Sequence, residues 1–129
     1  MPLLRFDLIE GRSDDEMKTL LDAAHRAMLK AFKVPERDRY QIVNEHKPDR
    51  MIVEDTGLGI ERTDKVVVVS VTSRPRTRAQ KEAFYRLLCE ELDRSCGIAP
   101  SDVIVSIVEN ADEDWSFGRG RAQFLTGEL

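Results

Sequence analysis

Pro2, Asp38, Arg74 and Arg76 are the residues of this chain best suited to acid–base chemistry on a small anion. Pro2 follows the initiator Met1, and aminopeptidases generally remove a methionine that precedes proline. Removal leaves Pro2 with a free secondary amine, the only one a polypeptide can carry. A free α-amino group titrates near pH ~7.7–8.0, so modest fields set it as base or acid at neutral pH. Such an amine can also attack carbonyl carbon. The plain alternative is that Pro2 is only a start-site residue, and the other residues have to decide.

Arg74 and Arg76 flank Pro75 just before a segment that reads as a helix start, and Arg78 follows. Cations at the positive end of a helix dipole each cost roughly 0.3–1 kcal/mol. Without a ligand that arrangement works against stability. With an anion it becomes favourable, because helix N–H groups and guanidinium forks both bind carboxylates. Pro75 disfavours helix at Arg74, so Arg74 and Arg76 project from an extended turn. Arg78 lies farther along and reads as surface. A solvated basic patch is the competing reading. Asp38 follows Val34-Pro35 and precedes a strand, where aspartate often caps a turn locally. In the tail, Trp115, Phe117, Phe124 and Leu129 either cover an edge of the core or wall a pocket.

The elements that must position these residues follow from periodicity. Leu3–Leu8 alternates as a strand. Ser13 and Glu16 have capping-box spacing, and Met17, Leu20, Leu21, Ala24, Met28 and Phe32 mark one helix face. Val34-Pro35 ends that helix, Tyr40–Glu45 reads as a strand, and Met51–Glu54 as a further short one. The pattern then restarts. Val66–Thr72 is a β-branched strand, and Thr77 with Gln80 forms a second capping box. Phe84, Leu87, Leu88 and Leu92 mark the next helix face, Gly97 stops it, and Val103–Glu109 is a strand.

The halves match at a shift of 64 residues: Arg12 on Arg76, Met28 on Leu92, Asp38 on Asp102, Glu45 on Glu109. Pro2 falls on Val66, and Glu10 on Arg74. A repeated strand–helix–strand predicts two βαβ units sharing one sheet, with right-handed crossovers. Both helices then cover one face, and the bare face favours oligomerisation.

Composition narrows the class. A chain of 129 residues suits one domain, and its net charge of −4 argues against nucleic-acid or anionic-membrane surfaces. No apolar run approaches the ~20 residues of a membrane span, which makes the cytoplasm the expected location. Cys89 and Cys96 lie about 10.5 Å apart along one helix, too far to bridge, and match no zinc spacing. His25 and His46 are too isolated to form a metal site, and His25 reads as structural.

Taken together, Pro2, the repeat and the arginines make the chain resemble the tautomerase superfamily, βαβ proteins that use an amino-terminal proline catalytically. Leu8-Ile9-Glu10-Gly11-Arg12-Ser13-Asp14 is similar to the first helix start of 4-oxalocrotonate tautomerase, a chain about half as long. Within the superfamily the likeness is greatest to the malonate semialdehyde decarboxylases. It rests on Pro2-Leu3-Leu4, Val34–Tyr40, Ser73–Arg76, Asp114–Gly118 and Gln123–Leu129. The resemblance implies an α/β (α+β) fold of two fused βαβ units with a four-stranded mixed sheet. It makes residues 1–129 one domain, with halves at about 2–54 and 66–109 and a tail at 110–129. It also implies Pro2, Asp38, Arg74 and Arg76 as catalytic residues. The arginines, Trp115, Phe117, Phe124 and Leu129 would contact the substrate, in a homotrimer without cofactor or metal.

Two opposed fields act on the Pro2 amine. Arg74 and Arg76 lower its pKa, and Asp38 raises it. A neutral amine suits keto–enol tautomerisation of 2-oxo acids, with Pro2 as base. A cationic amine suits decarboxylation of 3-oxopropanoate (malonate semialdehyde) to acetaldehyde and carbon dioxide, with Pro2 as acid and a hydratase side activity. The resemblance favours the cation. A non-enzymatic trimeric binding or scaffold protein is the reading from another class.

Overall fold

Alternating apolar residues in two pairs of strands build one sheet in the computed structural model, which describes residues 1–129 throughout. The strands are β1 (Leu3–Ile9), β2 (Tyr40–His46), β3 (Val67–Ser73) and β4 (Val103–Glu109), in the order β2-β1-β3-β4. β1 runs parallel to β2, and β3 parallel to β4, as helical crossovers require. The two central strands, β1 and β3, meet antiparallel, with Phe6 opposite Val69. The expected four-stranded mixed sheet is therefore present, each half contributing one parallel pair.

Helices α1 (Asp14–Phe32) and α2 (Arg78–Cys96) pack against each other and supply the apolar cover of the sheet. Both start with the capping boxes read from sequence, Ser13 with Glu16 and Thr77 with Gln80. Their left-handed C-caps are Lys33 and Gly97; only the second is glycine, the residue that accepts this backbone without strain. Leu4, Phe6, Leu8, Val67, Val69 and Val71 are buried beneath Leu20, Met28, Phe84, Leu88 and Leu92. Phe32 stacks on Phe84 with ring centroids 5.2 Å apart. Truncating such an aromatic to alanine typically costs about 3–5 kcal/mol.

Where the two helices meet sits a buried acid that periodicity does not reveal. Glu91 of α2 receives hydrogen bonds from Arg26 and Lys30 of α1 and pairs with Arg94. These cations hold its carboxyl down to about 2 against the opposing effect of burial. The ion cluster ties the two helices, and hence the two halves, together.

The opposite sheet face has no helical cover, and Ile42 and Val108 on it are 39% and 63% exposed. Tight pairing there is limited to His46 Nε2 and Asp7 Oδ1 at 2.7 Å. No helix is long and apolar enough to cross a membrane. Cys89 and Cys96 are free thiols, each partly buried.

The short strand expected at Met51–Glu54 does not form. β1 and β3 already occupy the sheet centre, and this segment has no strand beside it. It leaves a short 3-10 turn at Pro48–Arg50 with Ile52 exposed and passes into a loop organised by Asp55. That carboxylate accepts from the backbone N–H groups of Gly57, Gly59 and Ile60. The tail, which shows no period, forms a 3-10 turn at Asp112–Asp114 and a short helix, α3 (Gln123–Thr126).

Candidate active site

The end of β3, the loop after α1, the chain start and the tail meet at one end of the sheet. Arg74 and Arg76 lie between Ser73, the last residue of β3, and the Thr77 cap of α2. Pro75 keeps them outside the helix, as the sequence predicts. Arg76 is fixed at several points. Its backbone N–H donates to Glu109 at 2.7 Å, and its Nε donates to the Ser73 hydroxyl at 3.0 Å. Its guanidinium lies 5.0 Å from the centre of the Phe32 ring and reaches the Phe32 carbonyl at 3.5 Å. Burial, then the nearby Arg74 charge, lower its pKa, while Asp38 opposes them.

Arg74 is not the unpaired cation expected at a misfit helix start. Its Nε donates to Asp112 at 2.6 Å, and its guanidinium sits 4.1 Å above the Phe124 ring. Arg78 pairs with Glu82 and is exposed, as a surface residue should be. The arginine cluster is thus partly neutralised by local acids, and Arg76 is the arginine held without a carboxylate on its guanidinium.

Asp38 is 4% exposed. Its backbone N–H closes the Val34–Asp38 turn onto the Pro35 carbonyl at 2.9 Å, but neither carboxylate oxygen has a partner. A local cap would use that carboxylate, so the cap reading fails on geometry. Burial raises its pKa, while the terminal amine, then Arg76 and His25, pull it back down. An uncompensated buried carboxylate is costly unless a cation reaches it.

The repeat shows what a satisfied version looks like. Asp102, the counterpart of Asp38, is 1% exposed and closes the same turn, onto Ala99 at 2.9 Å. Its Oδ1 accepts from the Thr63 backbone at 2.8 Å, and its Oδ2 accepts from the Thr63 hydroxyl. No residue of the first half does this for Asp38. What faces Asp38 instead is the chain's terminal amine.

That amine belongs here to Met1, with Pro2 buried behind it. Partial burial lowers its pKa from 8.0 to about 6; Asp38 raises it, and Arg76 and Arg74 lower it further. The opposed fields read from sequence are therefore both present. Met1, Asp38, Tyr40 and Phe117 line a cavity of about 420 Å³, together with Pro35, Arg37, Gln123, Glu128 and Leu129.

Of the apolar tail residues expected to wall a pocket, Phe117 and Leu129 line this cavity. Trp115 and Phe124 stand behind Phe117, one stacked at 5.4 Å and the other edge-on at 5.5 Å. Trp115 donates its indole N–H to Asn110 at 2.7 Å, which fixes the ring plane. Tyr40, Arg37, Gln123 and Glu128 were not singled out by the sequence. Gln123 clamps the tail, accepting from Phe117 N–H and donating to Gly118 O at 2.9 Å each. Nothing in its sequence context marks that role. No group of three or more His, Cys, Asp or Glu side chains converges as a metal cage.

Burial, Asp38 and the two arginines together set the protonation of the amine at this cavity; Arg74 and Arg76 do not line the cavity but lie near enough for their charges to act on that amine. Known proteins share the chain's whole length. Probable tautomerase YrdN of Bacillus subtilis is 62% identical over all of both chains, and probable tautomerase YusQ of the same organism is 33% identical over 97% of this chain and 99% of the other. A crystal structure of malonate semialdehyde decarboxylase, solved to explain decarboxylase and hydratase activities, superimposes with TM-score 0.97 at 61% identity, covering 98% of each chain. A second malonate semialdehyde decarboxylase, inhibited by 3-bromopropiolate, gives TM-score 0.94 at 42% identity over 98% of this chain and 97% of that one. Two family profiles, each described as a tautomerase enzyme, match residues 2–60 and 38–118. With the mixed sheet, the duplicated βαβ units and these relatives in agreement, the chain belongs to the tautomerase superfamily.

Proposed function

We propose that this enzyme decarboxylates 3-oxopropanoate (malonate semialdehyde) to acetaldehyde and carbon dioxide, with the processed N-terminal Pro2 as general acid. The observation that carries the reading is the buried, hydrogen-bond-free carboxylate of Asp38 facing the terminal amine. Likeness to two malonate semialdehyde decarboxylases supports the choice of substrate.

In this reading Met1 is removed and the Pro2 ammonium takes the place opposite Asp38. Arg76, with Arg74, holds the substrate carboxylate, turned so that its bond to the central carbon aligns with the carbonyl π system. That bond breaks, carbon dioxide leaves, and its electron pair forms an enolate. Pro2 donates its proton to the aldehyde oxygen as charge develops there. The enol then takes a proton from solvent at carbon while its O–H proton returns to Pro2, giving acetaldehyde with a net uptake of one proton per turnover. Phe117, backed by Trp115 and Phe124, and Leu129 exclude water from a carboxylate about to become a neutral gas. The Asp38 charge keeps Pro2 protonated between turnovers, and a water oriented there would account for a hydratase side activity. No cofactor is invoked. The uncovered sheet face, with Ile42 and Val108, is suited to subunit contacts in a homotrimer.

One observation favours a second reading. The terminal amine of the unprocessed chain is held at about 6, which is a neutral base at pH 7. If Pro2 behaves likewise, the same arginines and cavity serve tautomerisation of a 2-oxo acid.

Turnover of 3-oxopropanoate by wild-type, Pro2→Ala and Arg76→Ala proteins tests the proposal. Loss of a general acid typically removes ~10²–10⁴ in rate, and Pro2→Ala should lose that much. A wild-type protein no faster than these variants would sink the decarboxylase reading. Turnover of phenylpyruvate enol in its place would establish the second.

A further inference from the structure

One buried titratable side chain beside the site has no part in the chemistry above. His25 lies on α1 and is 5% exposed. Its Nε2 is 2.8 Å from the Glu36 carbonyl oxygen, and its Nδ1 is buried without any partner. A carbonyl only accepts, so Nε2 carries the proton and donates it. The neutral ring then leaves Nδ1 as a bare lone pair.

Glu36 belongs to the turn that ends at Asp38. That turn is closed from within by Asp38 N–H to Pro35 O, and from outside by the His25 ring. His25 is also within electrostatic reach of Asp38, as are the terminal amine and Arg76. The duplication supplies an internal control. At a shift of 64 residues His25 falls on Cys89, and Asp38 on Asp102. Asp102 is held through its own side chain by Thr63. The half whose aspartate is self-anchored has no imidazole, and the half whose carboxylate is left free has one.

We propose that His25 is a positioning residue for the acid. Its neutral ring clamps the Val34–Asp38 turn through Glu36 and holds the Asp38 carboxylate at the Pro2 amine. This inference rests on the proposed role of Pro2 as acid.

The test compares wild type, His25→Leu and His25→Gln by kcat and KM on 3-oxopropanoate and by NMR titration of the Pro2 nitrogen. Leucine removes the donor. It should lower kcat roughly tenfold to a hundredfold, short of the full ~10²–10⁴ of a general acid. KM should stay within about threefold, because the arginines hold the carboxylate. The Pro2 pKa should fall by about one as the carboxylate drifts from the amine. Glutamine can still donate to the Glu36 carbonyl and should restore both readings.

A His25→Leu protein with unchanged kcat and Pro2 pKa, or with only KM altered, overturns the proposal. If leucine prevents folding, His25→Gln decides, since a folded glutamine variant with a lowered Pro2 pKa also overturns it. Ring-nitrogen NMR of the unaltered protein gives an independent check, because an Nε2 that carries no proton contradicts the clamp. A wild type inert toward 3-oxopropanoate counts against the decarboxylase reading instead, while the Pro2 titrations still judge His25.

Discussion

Replacing Asp38 with asparagine removes one charge from a buried position while keeping nearly the same shape. The structure sets the direction of every effect. Asp38 is the first-ranked influence raising the terminal amine's pKa, against burial, Arg76 and Arg74, which all lower it. An opposite charge within contact range typically moves a pKa by about 1–3, equivalent to roughly 1.4–4 kcal/mol. In the proposed mechanism its removal shifts Pro2 from cation toward neutral at pH 7, and population alone should cost about tenfold to several hundredfold in kcat/KM. The loss has a signature. Acidifying the assay protonates Pro2 from solution, so activity of Asp38→Asn recovers as pH falls, and its pH profile shifts to lower pH than wild type.

Folding is not the cause of that loss. Burial raises the Asp38 pKa in the folded state, so above that pKa the unpartnered carboxylate opposes folding. Once the Pro2 cation is titrated away at high pH, Asp38→Asn should be at least as stable as wild type. A buried polar group without a partner costs about 1–3 kcal/mol, which bounds the gain. Thermal melts at fixed protomer concentration and pH 9 check this. Wild-type activity in Asp38→Asn at pH 8, or an unshifted pH profile, would refute the reasoning.

Arg76→Lys keeps a charge but loses the planar fork and its contact over the Phe32 ring. Steady-state kinetics should show about 10–100-fold lower kcat/KM, since charge-assisted hydrogen bonds contribute about 1.5–3 kcal/mol. Glu91→Gln should destabilise the fold by on the order of 1–3 kcal/mol at pH 7, discounted because its cationic partners are half exposed. The Glu91 pKa is depressed from 4.5 to about 2, so its stabilisation is present above pH 4.5 and lost as pH falls toward 2. Denaturant melts of wild type and Glu91→Gln should therefore converge in that window.

Most of the scaffold was legible because local rules and tertiary packing agree. Ser13-Glu16 and Thr77-Gln80 cap both helices, and the 64-residue shift pairs strand with strand and helix with helix. Met51–Glu54 misled because β-propensity says nothing of whether a neighbouring strand is available, and none is. Glu91 was invisible because burial of a charge depends on Arg26 and Lys30 arriving from the other half. At the site, the sequence named Asp38, Arg74 and Arg76, but not the pairing of Arg74 with Asp112. Tyr40 and Gln123 escaped because their contacts with Phe117 form only on folding, and His25 read as structural without its partner Glu36 being visible. The divergence between halves was the better guide, since Asp38 and Asp102 share a turn and differ only in what satisfies them.

The proposed chemistry turns on the amine, and intact mass must first establish that Met1 is gone and Pro2 is terminal. Titration of the Pro2 nitrogen by NMR in that processed protein then reads its protonation state directly. A pKa well above 7, lowered in Asp38→Asn, is the predicted result and makes Pro2 the acid. A value well below 7, near that of the Met1 amine in the unprocessed chain, contradicts it and leaves Pro2 a base.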